Sequence, residues 1–296
     1  MTQTGVRRVL RRIGFAAAVL LALAAAAIAL RLAFWPSART RHYDVPRATV
    51  DVPVDPAAIA RGGHLAASVA ACTICHGDDL GGRLAFDDPL LGQGYTPNLT
   101  RGRGGIAASY DVADWVRALR DGVGRDGRGL LFMPVDHYRH LSDADLGALI
   151  AYFRSLPPVD NERTALALTP IAKALIDLGL SGDVVRAATI DHRAPPPRPP
   201  RDAGAYLVEI GGCTFCHGTS LTGGRGLEPG APRAPDLTRR GRWRQAGEAA
   251  FIAAMRGGVT LDGRAIDPRY MPWQAYRRMT DEELRAVWSY LQRLPG

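Results

Sequence analysis

The chain has 296 residues, enough for one large domain or two of about 100 to 150 residues each, and its 47% hydrophobic and 22% charged content supports packed cores and excludes a disordered chain. Its formal net charge of +8 would suit an anionic partner such as nucleic acid if it were spread over the surface. Five arginines and no acidic residue lie before Pro36, leaving 32 basic and 29 acidic residues in the rest of the chain, a net of only +3, so no nucleic-acid partner is indicated.

The N-terminus reads as a membrane signal. Residues 13–30 are uncharged and mostly apolar; Arg31 interrupts the run, and residues 32–35 extend it to 23. About 20 helical residues at roughly 1.5 Å each match the hydrocarbon core of a bilayer, about 30 Å thick. The four arginines ahead of the run (Arg7, Arg8, Arg11 and Arg12) place residues 1–12 in the cytoplasm by the positive-inside rule, with everything from about Pro36 exported. The expected arrangement is a single-pass anchor over residues 13–35 in a bacterial inner membrane, with Trp35 at the outer interface and the rest in the periplasm. The competing reading is a signal peptide cleaved near Ala25 to Ala29.

Two proline-containing breaks then divide the exported part. One covers residues 39–56, and the other is "APPPRPPR" at 194–201, a composition that favours an extended, semi-rigid spacer. The expected domains are residues 54–159 and 202–296, joined by a linker over 160–201.

These two blocks repeat each other. "RDGVGRDGRG" (120–129) pairs with "RGGVTLDGRA" (256–265), and "LSDADLGALIAYFRSLPP" (141–158) with "MTDEELRAVWSYLQRLPG" (279–296), the mark of a duplicated domain. Each block ends in a helix. Ser142 and Thr280 are the expected caps, facing Asp145 and Glu283 at capping-box spacing. Leu146, Leu149, Ile150 and Phe153, and likewise Leu284, Val287, Trp288 and Leu291, recur at i, i+3, i+4, i+7. Earlier helices are expected from Pro56, capped by Asp55, and near residues 111–119 and 248–255. No convincing alternating strand pattern occurs, so the expected fold class is all-α.

All four cysteines lie in two C-x-x-C-H units: Cys72, Cys75, His76 and Cys213, Cys216, His217. This is the spacing of covalent c-type haem attachment. Two thiols on one side of a helical turn can each form a thioether to a porphyrin vinyl group, and the following histidine supplies an axial nitrogen to the iron. A four-thiolate zinc cage or a disulfide would leave both histidines without a role. Two covalently bound haem c groups are therefore expected, with His76 and His217 as iron ligands.

A second axial ligand comes from matched methionines. Met133 in "LFMP" lies 57 residues after His76, and Met271 in "YMPW" lies 54 after His217, each followed by proline. Thioether sulfur is a soft ligand that favours ferrous iron. His64, His137 and His140 are alternatives for the first site, but none has a histidine counterpart in the second repeat.

With these residues in view the sequence resembles a family. The C-x-x-C-H-G units, "TPNLT" (96–100), "RALRDGV" (117–123), the Met-Pro pairs and the terminal helix are similar to class I cytochrome c domains in membrane cytochrome subunits of bacterial alcohol, gluconate and related dehydrogenases. The second repeat carries "APDLT" (234–238) in place of "TPNLT". The resemblance implies a cytochrome c fold with the first and last helices crossing, and Pro97 and Pro235 as carbonyl partners of the two proximal histidines. Those cytochromes usually carry three haem motifs where this sequence has two, and Tyr110 stands where many have a tryptophan.

The expected function is that of a membrane-anchored dihaem electron carrier. It would pass single electrons from a dehydrogenase or quinol-oxidising donor to an oxidase or a soluble cytochrome. A dihaem peroxidase would need one open iron, and two matched methionines argue against it. A structural subunit with redox-silent haems would leave the methionines without purpose.

Overall fold

In a computed structural model, the chain is described over residues 3–34, 37–163, 166–224 and 231–295; Trp35 and Pro36 lie outside the described residues. Helix α1 (Gln3–Phe34) contains the span Leu10–Arg31, with mean hydropathy 2.6 and none of it packed against the rest of the protein. By length and composition it is a membrane span or a signal sequence.

The first domain opens with α2 (Pro56–Ala67). The Asp55 carboxylate accepts the Ala58 N–H at 2.9 Å, and Pro56 occupies the first turn, where a missing N–H costs nothing. After the short α3 (Cys72–His76) come α4 (Val112–Asp121), α5 (Val135–Tyr138) and α6 (Asp143–Ser155). A reciprocal capping box between Asp111 and Asp114 starts α4, and the Ser142 hydroxyl caps α6 through the Asp145 N–H. Leu146, Leu149, Ile150 and Phe153 are all 0–1% exposed, as their spacing predicts.

The second domain repeats the plan. Its elements are α8 (Ala203–Ile210), α9 (Cys213–His217), α10 (Arg242–Gly257), α11 (Trp273–Tyr276) and α12 (Asp281–Arg293). Gly247, at φ 83°, kinks α10, and Thr280 with Glu283 forms a full capping box on α12. First and last helices cross in both domains through a glycine. A Cβ on Gly62 would meet the Ala148 carbonyl oxygen at 2.0 Å, and one on Gly204 would meet that of Ala286 at 2.1 Å. The backbones approach too closely there for any other residue.

The all-α expectation needs one correction. Strands β1 (Leu84–Asp88), β2 (Gly92–Tyr95) and β3 (Leu166–Leu168) form an antiparallel sheet in the order β1-β2-β3. The Asp88 carboxylate sets the hairpin by accepting the Leu90 and Leu91 N–H groups at 2.8 Å, and Gly92 turns the chain at φ 103°. Alternation is weak because Gly92 and Gly94 carry no side chain; Gly94 lies flat against the Phe86 ring. The third strand comes from 70 residues further on, so no local pattern announces it.

Residues 160–201 contain β3 and α7 (Pro170–Asp177), which enclose a small second core with Val123, Leu168, Ala172, Ile176 and Val185. Tyr43 and Val45, from the segment after α1, pack on this core. The main core is continuous across both domains: Leu65, Val69 and Leu149 belong to the same buried cluster as Leu207, Ile210 and Leu284.

Candidate cofactor sites

Helices α3 and α9 are single turns built alike. Each begins after a left-handed residue, Ala71 at φ 51° and Gly212 at φ 68°, and stops at a left-handed glycine, Gly77 at φ 85° and Gly218 at φ 78°. Within such a turn the two cysteines share one side and the histidine follows. None of the four cysteines is in a disulfide. Burial, reinforced by the neighbouring Cys75, pushes the Cys72 thiol up to about 12, and burial does the same to Cys213. Among the described residues no three His, Cys, Asp or Glu side chains converge as a metal cage. A four-cysteine zinc site is therefore not assembled.

Both histidines are oriented from behind. The Nδ1–H of His76 donates to the Pro97 carbonyl at 2.9 Å, and that of His217 to the Pro235 carbonyl at 2.8 Å. The proton is thereby fixed on Nδ1, and Nε2 keeps its lone pair, the arrangement a metal-ligating imidazole needs. Burial lowers both histidine pKa values, against a smaller upward pull from the carbonyls, which also favours neutral rings.

The proline carbonyls are held by a repeated turn. Fully buried Asn98 accepts the Thr100 N–H at 2.9 Å and its hydroxyl at 2.8 Å, while its amide donates to the Val159 carbonyl at 2.7 Å. Asp236 accepts from the Thr238 N–H and hydroxyl at 2.7 Å in the second domain. The "PNLT" and "PDLT" segments thus act as braces for the histidine partners.

Met133 and Met271 stand immediately before the prolines that cap α5 and α11. Their carbonyls accept the Val135 N–H at 2.9 Å and the Trp273 N–H at 2.7 Å. Sequence reasoning missed the residue that ties each methionine segment to its cysteine motif. Tyr138 donates its hydroxyl to the Ala70 carbonyl at 2.7 Å, and Tyr276 to the Gly211 carbonyl at 2.6 Å. Each tyrosine is five residues after its methionine, and each acceptor is two residues before its first cysteine. That recurrence between the repeats was the available signal.

In the second domain the expected residues meet around one cavity of about 820 Å³, lined by Cys213, Cys216, His217, Pro235, Met271 and Tyr276. Arg240, Arg242 and Arg264 also line it. In the first domain Met133 packs on the same apolar cluster that contains Cys72, Trp115 and Tyr138. Trp115 is 2% exposed and its indole N–H has no hydrogen-bond partner there. The three spare histidines turn to the interface between domains. His64 pairs with Glu283, His140 faces Glu209 at 3.9 Å, and His137 stacks edge-on against Phe215 at 5.7 Å.

Both domains match known families. Residues 202–295 match the family described as "Cytochrome c", and residues 57–153 match "Cytochrome C oxidase, cbb3-type, subunit III". The chain is 29% identical over 266 residues to a nicotinate dehydrogenase subunit of Pseudomonas putida. It is 27% identical over 260 residues to the fructose dehydrogenase cytochrome subunit of Gluconobacter japonicus. Over 273 residues it is 29% identical to the cytochrome c subunit of the quinone-dependent alcohol dehydrogenase of Gluconobacter oxydans. These alignments cover 81%, 79% and 82% of the chain but only 22%, 52% and 56% of the relatives. The chain thus spans about half or less of each of these proteins.

Proposed function

We propose that this protein, two c-type cytochrome domains in tandem, carries two covalently bound haem c groups and serves as the electron-transferring cytochrome subunit of a dehydrogenase system. The observation that carries the reading is the gathering of Cys213, Cys216, His217 and Met271 around one cavity, with every one of these residues duplicated in the first domain.

The residues fit the group. Cys72 and Cys75 would hold one porphyrin by thioethers, with His76 and Met133 binding its iron; Cys213, Cys216, His217 and Met271 would hold the other. The buried Trp115 N–H and the cavity arginines suit the porphyrin's carboxylates. Bound haem supplies reversible one-electron chemistry at its iron. The protein's part is to keep each imidazole in one tautomer, to keep water from the apolar pockets, and to hold each methionine segment against its cysteine turn.

The electron donor would be a dehydrogenase, in line with the names of the relatives, or a quinol-oxidising complex, and the acceptor an oxidase or soluble cytochrome. The apolar α1 would be a retained anchor that leaves the haem domains on the periplasmic side of the inner membrane. Methionine ligation gives ferric haem a far-red absorption band, and Met133→Ala and Met271→Ala are each expected to remove about half of it, the share of one site in two. A full band in either variant refutes that ligand. Rapid peroxide turnover by the unaltered protein would point instead to an enzyme with an open iron.

A further inference from the structure

We infer that α7 and the turn after it, residues 170–182, rest on the outer surface of the lipid bilayer and fix how the haem domains stand over the membrane. This rests on α1 being a retained anchor.

The first support is where α7 is tied. The Asp177 carboxylate accepts the Ser37 hydroxyl at 2.6 Å and two Arg39 N–H groups at 3.0 and 2.6 Å. Ser37 and Arg39 are three and five residues past the end of α1, so the Ser37 bond lies within about 10 Å of that end along the chain and the bidentate Arg39 clamp within about 17 Å. The Arg31 guanidinium, in the last turn of α1, is near enough to act on the same carboxylate. The headgroup layer is itself about 6 Å thick on each side. The C-terminal end of α7 is therefore pinned where α1 would leave the hydrocarbon.

The second support is what α7 exposes. Its inward side is Ala172 and Ile176, 3% and 7% exposed. Apolar side chains also face outward from the helix and the turn after it: Ile171 is 55% exposed and Leu180 69%, with half-buried Leu175 and Leu178 beside them. Apolar residues on both sides of a short surface helix call for a second apolar contact. Lys173, exposed on the same helix, is the only lysine in the chain. A long aliphatic stem with a charged tip suits a helix lying among lipid headgroups, where the amine reaches phosphate while the stem stays in the apolar layer.

The test uses the full, haem-loaded chain in phosphatidylcholine vesicles containing phosphatidylglycerol and a lipid with a photoreactive diazirine on its acyl chain. After illumination, tryptic peptides are read by mass spectrometry, and the two peptides flanking Lys173 report on α7. The expected result is lipid adducts on these peptides as well as on α1. A second preparation carrying Ile171→Asp and Leu180→Asp should lose the α7 adducts, keep those on α1 and keep its haem absorption spectrum. Adducts on α1 with none beside Lys173 overturn the inference while the anchor stands, and would leave this face to a partner subunit. Adducts on neither overturn the anchor and the inference together.

Discussion

His64 Nε2 lies 2.7 Å from Glu283 Oε2 in the other domain, and the matching positions of the two repeats make the reciprocal contact, Tyr206 donating its hydroxyl to Asp145 Oδ2 at 2.7 Å. Asp145 and Glu283 are the third residues of the two C-terminal helices. Arg61 bridges them, reaching Asp145 at 3.1 Å and Glu283 at 2.9 Å. The domains therefore pack about a local two-fold relation, as the identical patches of a symmetric dimer do.

Glu283 gives this interface a pH signature. Burial pushes its carboxyl up, but hydrogen bonds from His64, the Thr280 N–H and Arg61 outweigh burial and hold it at about 2, below the ordinary 4.5. A depressed carboxyl contributes stability that is complete above its unfolded value and lost as pH falls through its folded one. Urea unfolding of the wild type is expected to lose stability between pH 4.5 and about 2. Glu283→Gln should be less stable at neutral pH and flatter across that window. A double cycle with His64→Ala should give a coupling of about 0.5 to 3 kcal/mol.

Gly212 and Ala71 occupy equivalent left-handed positions but answer differently to substitution. A Cβ on Gly212 would come within 2.7 Å of the His137 ring, so Gly212→Ala adds a clash between domains to about 1 to 2 kcal/mol of backbone strain. Ala71→Gly relieves that strain and is expected to change stability by less than about 1 kcal/mol. Thermal unfolding of both variants checks the contrast, and equal losses would refute it.

The two tyrosine clamps predict a paired result. Burial pushes both phenols far above their ordinary values, so each hydroxyl remains a donor at alkaline pH. Tyr138→Phe and Tyr276→Phe each leave a buried carbonyl without its partner, at about 1 to 3 kcal/mol. With the proposed methionine ligation, each should also make its methionine easier to displace, read as faster loss of the far-red band on adding imidazole. Destabilisation with unchanged displacement would confine the tyrosines to a structural role.

Arg120 and Arg256 join their middle helices to the start of the last ones. Arg120 donates to the Leu141 carbonyl at 2.8 Å and to Asp143 at 2.7 Å; Arg256 donates to the Met279 carbonyl at 2.6 Å and to Asp281 at 2.6 Å. The Asp143 side chain is 77% exposed, so Asp143→Ala should cost less than about 1 kcal/mol. Arg120→Ala strands a buried carbonyl and should cost about 2 to 3 kcal/mol. Chemical denaturation separates the two, and comparable losses would give the main role to the ion pair.

Much of the architecture was legible because it rests on local rules. Asp55, Ser142 and Thr280 stand at helix starts because a short oxygen side chain can reach a free N–H of the first turn. The heptad-like spacing of Leu146 to Phe153 buries one helix face, as the packing requires. The sheet escaped notice because β3 arrives from a distant segment and glycines interrupt β2. Tyr138 and Tyr276 escaped because a tyrosine near a helix carries no signal of which carbonyl it will meet.

The sequence by itself determined the two C-x-x-C-H turns, the matched Met-Pro pairs and the apolar N-terminal helix, since each depends on residue types at fixed short spacings. Only the tertiary structure decided what those turns face. Closing each domain around a glycine crossing brings Pro97 and Pro235 behind the histidines, and docking the domains turns His64, His137 and His140 to the interface. Contacts of this kind join residues far apart in the chain, and their partners follow from how buried surfaces fit together rather than from any local period.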